Sequence, residues 1–245
     1  MPDYSAGLGS GVKNWKIGVP NEFFSGGMHP EVEKLTRAAI LKFEELGAAV
    51  EGVSLPNVEY SMPVYYIVQT SEVSSNLARY DGIKYGFSVE REKNFRGSLL
   101  EVYEESRGRG FGAEAKRRIM LGTYSLSAGY HDAYYKKALQ VRELIKRDFI
   151  KAFEKYDLML APVSPTPPFR FGEKVNDTLA MYLSDIYTTT INLTGNPGLS
   201  VPCGFAGSLP VGLQIIGPHF GEEKIFQAAY AYEQATEFYK TKPKI

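Results

Sequence analysis

The sequence predicts an α/β protein with a mixed β-sheet flanked by helices, and three observations carry that prediction. A short strand, an amphipathic helix and a second strand follow one another between Trp15 and Val53. Two further strand-like runs surround a glycine-rich turn near the end of the chain. Long intervening stretches repeat apolar residues at three- and four-residue spacing, the period of a helix with one buried face.

In chain order, residues 1–14 hold Gly7, Gly9 and Gly11 without periodicity and read as a linker. Trp15 to Pro20 is a strand stopped by proline. Pro30 then marks a helix start, and Val32, Leu35, Ala39, Phe43 and Leu46 line one face of that helix up to Gly47. Ala49 to Val53 is a second strand, which a strand–helix–strand unit makes parallel to the first. Helices are expected over Val64–Tyr80, Leu99–Ser106 and Ala113–Leu126, with Asp132 capping a further helix that runs to Phe153. Tyr156 to Ala161 reads as a buried strand closed by Pro162, followed by an irregular loop around Pro165, Pro167 and Pro168. One helix is expected over Leu179–Leu193, ending at the turn Gly195-Asn196-Pro197-Gly198. Leu199–Cys203 and Val211–Ile216 are the late strands, and Glu222–Tyr239 is a terminal helix apolar at Ile225, Ala228, Ala229 and Tyr232.

Composition narrows the function classes. The 245 residues are enough for one large or two small domains with a substantial core. Lysine plus arginine equals aspartate plus glutamate at 28 each, so no basic excess supports autonomous nucleic-acid binding. The basic residues Lys136, Lys137, Arg142, Lys146 and Arg147 therefore fit a solvated helix face better than a nucleic-acid surface. One cysteine, Cys203, permits no internal disulfide and suits a reducing cytosol, and no signal-peptide pattern opens the chain. Apolar runs stay well below the roughly 18 residues of a membrane span. The expectation is a soluble, cytoplasmic protein without membrane contact.

The common catalytic patterns fail in turn. His29, His131 and His219 are far apart and suggest no metal site and no Ser–His–Asp triad. Gly108-Arg109-Gly110-Phe111-Gly112 follows a helix and not a strand, so it reads as a flexible connection, not a phosphate cradle. Ser71, Ser74 and Ser75 sit mid-helix, without the neighbouring glycines that a nucleophilic turn with oxyanion-hole amides requires. What remains is chemistry for holding an amino acid. A free α-amino group calls for a carboxylate, and an α-carboxylate calls for a bidentate guanidinium. The residues alone do not choose which aspartate and which arginine.

Several stretches break that degeneracy. Pro63-Val64-Tyr65-Tyr66-Ile67-Val68, Ser75-Asn76-Leu77-Ala78-Arg79-Tyr80-Asp81-Gly82, Lys116-Arg117-Arg118-Ile119-Met120-Leu121-Gly122-Thr123 and Ser127-Ala128-Gly129-Tyr130 resemble the amidase-signature family, in particular its branch of tRNA-dependent amidotransferase A subunits. Asp132-Ala133-Tyr134-Tyr135-Lys136-Lys137-Ala138, Met181-Tyr182, Asp185, Asn192-Leu193-Thr194-Gly195-Asn196-Pro197-Gly198, Val201-Pro202-Cys203-Gly204 and Leu209-Pro210-Val211-Gly212-Leu213-Gln214 follow in the family's order. The likeness runs from Trp15 onward. It implies that residues 15–245 are the C-terminal half of an amidase-signature domain with a partial version of that fold.

The resemblance implies a function too. Such proteins hydrolyse glutamine and pass the ammonia to a B subunit, which amidates glutamate or aspartate mischarged on tRNA. The B subunit uses ATP and magnesium; a C subunit commonly braces the pair, and tRNA is met only indirectly. No cofactor is expected in this chain. The family's hydrolytic centre is a serine nucleophile, a bridging serine and a lysine base, all from the first half of the domain. None of those motifs can be placed here, so no catalytic residue is assigned and the chain is expected to be inactive alone. Three glutamine-binding residues do map by motif. Arg118 resembles the residue that grips the α-carboxylate, Tyr65 its neighbour on the glutamine backbone, and Asp185 the carboxylate that receives the α-amino group. A missing N-terminal amidase half is expected to leave an unpaired sheet edge and an exposed apolar face. Two rival readings follow: a split enzyme completed by a separate signature-half chain, and a non-catalytic scaffold for the B and C subunits.

Overall fold

The computed structural model describes residues 3–24 and 26–242. They form two compact units, one made of the chain up to Met62 and from Arg142 onward, the other of Pro63–Val141.

The first unit is built on a five-stranded sheet. Its strands are β1 (Lys16–Pro20), β2 (Ala49–Val53), β3 (Leu158–Pro162), β4 (Gly198–Ala206) and β5 (Leu209–Ile216), in the spatial order β2-β1-β3-β5-β4. β1 is parallel to β2 and to β3, whereas β5 runs antiparallel to both β3 and β4, so the sheet is mixed. The parallel pair needs a crossover, and α1 (Pro30–Glu45) supplies it. His29 caps that helix: its Nδ1 accepts the Glu31 amide at 3.2 Å. One sheet face, carrying Ile17, Leu158, Leu160, Val201, Leu213 and Ile215, forms a core with Val32, Ala39 and Phe43 of α1 and with Ile225, Ala228, Ala229 and Tyr232 of α8 (Glu222–Thr236). The Phe43 and Tyr232 rings stack there with centroids 5.3 Å apart. Strand alternation sends Met159, Ala161 and Ile216 to the opposite face, and they are buried as well, which is why β3 reads as a continuous apolar run.

Several expectations are corrected. The helix expected over Leu179–Leu193 is two short helices, α6 (Thr178–Leu183) and α7 (Thr188–Thr194), interrupted by a turn over residues 184–187. The terminal helix stops at Thr236; Glu237 enters the left-handed region at φ 57°, and a 3-10 turn follows at Phe238–Lys240. The segment read as a linker carries a 3-10 turn at Leu8–Ser10 and packs on α8: Val12 is buried, and Gln227 Nε2 donates to the Gly11 carbonyl at 2.5 Å. Met1 and Pro2 of that segment lie outside the described residues.

The second unit is helical. It contains most of α2 (Ser61–Leu77), then α3 (Leu99–Gly110), α4 (Ala113–Leu126) and the start of α5 (Lys137–Phe153). α3 opens on a reciprocal capping box between Ser98 and Glu101. It runs further than expected and takes in Gly108 and Gly110, so only Phe111 and Gly112 connect it to α4. Asp132 is not a helix cap. It starts a π-helical turn over Asp132–Lys136 that leads into α5, and its carboxylate pairs with His131 at 2.9 Å. α4 lies close against α2 at Gly122, where an added Cβ would stand 1.9 Å from the Thr70 carbonyl oxygen. Ser71 and Ser74 are buried on α2, and the Ser74 hydroxyl donates to the Ser71 carbonyl at 2.8 Å, a helix-packing role.

β4 lies at one end of the sheet and, among the described residues, is paired on one side only. Beside it opens an apolar groove of about 640 Å³ lined by Val163, Pro168, Phe169, Pro202, Phe205 and Phe238 among others. Among the described residues no helix is long and apolar enough to cross a membrane.

Candidate functional site

Two helices of the second unit bring the first pair of expected site residues together. Arg118 occupies the second turn of α4, and Tyr65 lies near the start of α2. Arg118 Nε donates to Glu114 Oε1 at 2.8 Å, one turn back on its own helix. Its Nη1 donates to Gln69 Oε1 of α2 at 3.1 Å, and its Cζ stands 5.6 Å from the centroid of the Tyr66 ring. Burial works against the guanidinium charge, but side-chain hydrogen bonds to Glu114 and Tyr65, with the Glu114 charge, outweigh it and raise Arg118 above its ordinary value. The side chain is 22% exposed, which separates it from Arg117, its neighbour, at 52%. Arg117 is an ordinary surface ion pair with Glu114. Arg118 is a half-buried cation held by two helices, a form suited to receiving a planar anion.

Asp185 belongs to the first unit. It sits in the turn between α6 and α7, and its backbone carbonyl accepts the amides of Thr188 at 3.1 Å and Thr189 at 2.9 Å. That pairing anchors the first turn of α7, while the residue as a whole is exposed. The broken helix is therefore what sets the Asp185 side chain on a turn and not on a regular helix face. None of Tyr65, Arg118 and Asp185 lines the apolar groove beside β4.

Sequence reasoning missed Gln69, Tyr66 and Glu114 as parts of the arginine's setting. Glu114 could have been found, because it lies four residues before Arg118 on one helix. Gln69 is 49 residues away and had no local signal. The three histidines all have structural partners: His29 caps α1, His131 pairs with Asp132, and His219 Nε2 lies 2.9 Å from the Thr194 carbonyl oxygen at the end of α7. Among the described residues, no group of three or more His, Cys, Asp or Glu side chains could hold a metal ion. Cys203 is buried in the sheet core, and that burial pushes its thiol up to about 12, far from a reactive thiolate.

Comparison with known proteins gives this geometry its context. Over 245 residues the chain is 57% identical to the A subunit of the glutamyl-tRNA(Gln) amidotransferase of Moorella thermoacetica, covering 100% of this chain and 49% of that protein. The protein of the same name from Thermodesulfovibrio yellowstonii is 57% identical over 242 residues, covering 98% of this chain and 49% of the relative. The crystal structure of the corresponding A subunit from Thermotoga maritima superposes with a TM-score of 0.71 at 36% identity, covering 94% of this chain and 44% of that one. A bacterial aryl acylamidase matches with a TM-score of 0.73 at 21% identity, covering 98% of this chain and 47% of that one, which speaks for the fold alone. The chain thus spans about half the length of the curated relatives it matches. A family profile described as Amidase matches residues 1–226, and with those alignments along its whole length the chain belongs to the amidase family.

Proposed function

We propose that this chain is the C-terminal portion of the A subunit of a glutamyl-tRNA(Gln) amidotransferase, and that it holds the glutamine whose side-chain amide supplies ammonia. The observation that carries the reading is the alignment of all 245 residues, at 57% identity, with a protein of that name. The local geometry supports it. Arg118 offers a braced guanidinium for the α-carboxylate, with Tyr65 hydrogen-bonded to it, and Asp185 offers an exposed residue on a turn for the α-amino group.

The division of labour follows from chemistry. Gripping both backbone charges of glutamine fixes the position of its side-chain amide, so that a nucleophile from elsewhere can meet it in a set geometry. The nucleophile and its base come from the amidase-signature half, which the resemblance equips with two serines and a lysine. A B subunit with bound ATP and magnesium uses the ammonia, a C subunit braces the pair, and tRNA is contacted only through those partners.

The test is reassembly. Mixed with a separately produced signature half from one of these relatives, the chain is expected to release ammonia from glutamine, and Arg118→Ala to abolish that release. Each half alone is expected to stay at background. Turnover by this chain alone, or a stable two-chain complex with no ammonia release, refutes the proposal; the second outcome favours a scaffold.

A further inference from the structure

The bracing of Arg118 contains a residue whose chemistry is unexpected for a simple ion pair. Glu114 is shared: its Oε1 takes Arg118 Nε at 2.8 Å and its Oε2 takes Arg117 Nη1 at 2.5 Å. Two guanidiniums thus face one carboxylate. Besides Glu114 and Tyr65, Arg118 is braced by Gln69 on α2, at 3.1 Å. A guanidinium has only donors, so the atom of Gln69 that meets it must be the amide oxygen. A neutral amide orients the cation by its dipole and removes none of its charge. A glutamate at the same place would set a second carboxylate against the guanidinium and weaken its attraction for an incoming carboxylate.

The brace also fixes the fork. Glu114 holds Nε along α4 and Gln69 holds Nη1 from a second helix, so the guanidinium plane is set before any ligand arrives. The Tyr66 ring lies beside it, its centroid 5.6 Å from Cζ. A fixed fork binds a carboxylate without first losing rotamer freedom.

We infer that Gln69 is a positioning residue for the substrate carboxylate: it holds the Arg118 guanidinium in orientation without neutralising its positive charge. The inference rests on the reading that Arg118 receives that carboxylate. It predicts selectivity that a merely structural glutamine would not give. The experiment uses the chain reassembled with a signature half and measures calorimetric binding of L-glutamine and of L-glutaminamide, in which a neutral amide replaces the α-carboxylate. Gln69→Glu is expected to weaken L-glutamine about tenfold or more and to leave L-glutaminamide within about twofold, because a like charge now faces the carboxylate. Gln69→Leu, similar in volume but without the acceptor, is expected to weaken L-glutamine about threefold to tenfold with the same selectivity. Unchanged L-glutamine binding by both variants overturns the inference, and so does equal loss of both ligands, whether through misfolding or a general packing role. If the unsubstituted assembly fails to bind L-glutamine, the functional proposal itself falls, and that result is distinct from the other two.

Discussion

Gly122 offers the sharpest test of how the second unit is packed. An alanine there would put its Cβ 1.9 Å from the Thr70 carbonyl oxygen, 2.4 Å from the Thr70 carbonyl carbon and 2.8 Å from Ser74 Cβ. The opposing atoms are mostly backbone, so no side chain can swing away. α4 must retreat by roughly 1.4 Å to restore a carbon–oxygen contact of about 3.3 Å. Overpacking of this kind costs about 1–3 kcal/mol, with a backbone clash at the upper end. The better helix propensity of alanine returns about 1 kcal/mol, so a net loss of about 1–2 kcal/mol is expected for Gly122→Ala. For a chain of this size that lowers the midpoint of thermal unfolding by roughly 2–8 °C. Gly108→Ala is the control, because on α3 its added Cβ meets nothing within 4 Å. It is expected to raise the midpoint slightly. The assay is thermal unfolding followed by circular dichroism for both variants. A Gly122→Ala melting point at or above that of the unsubstituted chain refutes the close packing. The site is affected too: Gly122 lies one turn beyond Arg118, and Thr70 adjoins Gln69, so retreat of α4 stretches the 3.1 Å Arg118–Gln69 bond.

Phe43→Ala removes a fully buried ring stacked on Tyr232 and is expected to cost roughly 3–5 kcal/mol, read from denaturant unfolding; a loss under about 1 kcal/mol would contradict the core described. Asp157 ties the start of β1 to α8: it accepts the Lys16 amide at 3.0 Å and Lys224 Nζ at 2.6 Å. Burial opposes its charge, yet the hydrogen bonds from Lys224 and the Lys16 amide outweigh it and hold the carboxyl below its ordinary 3.8. A depressed folded value means stability that is present above about pH 4 and lost as pH falls through the folded value. Asp157→Asn should therefore flatten the acid limb of the stability curve below about pH 4, and an unchanged acid limb would exclude that role. Cys203, with its thiol pushed up to about 12, should react with alkylating reagents at about pH 8 roughly a thousandfold slower in the native chain than after denaturation, as mass spectrometry can follow. Comparable rates would show that the sheet core is open.

Much of the fold was legible because it rests on local patterns. The apolar spacing of α1, the proline and glycine at its ends, and the five-residue apolar run of β3 each specify one element and one buried face. The same holds for the turn between β4 and β5. Motif likeness singled out Arg118, Tyr65 and Asp185 as candidates, and it indicated that the chain corresponds to half of the domain. Local pattern failed where two influences compete. Leu179 to Leu193 reads as one helix, yet the backbone breaks at residues 184–187, where the Asp185 carbonyl starts a new turn. Asp132 has the chemistry of a cap but pairs with His131 and Lys136 while the chain makes a π-helical turn.

Sequence by itself determined most of the elements, the faces they bury and the family they belong to, because these depend on periods of two to four residues and on ordered motifs. Tertiary structure alone decided that Gln69 meets Arg118 across 49 residues, that Gly122 sets the spacing of α2 and α4, and that β4 ends the sheet. Those facts depend on which atoms of distant segments come within contact distance, and the forces that fix this act through space and leave no period in the chain.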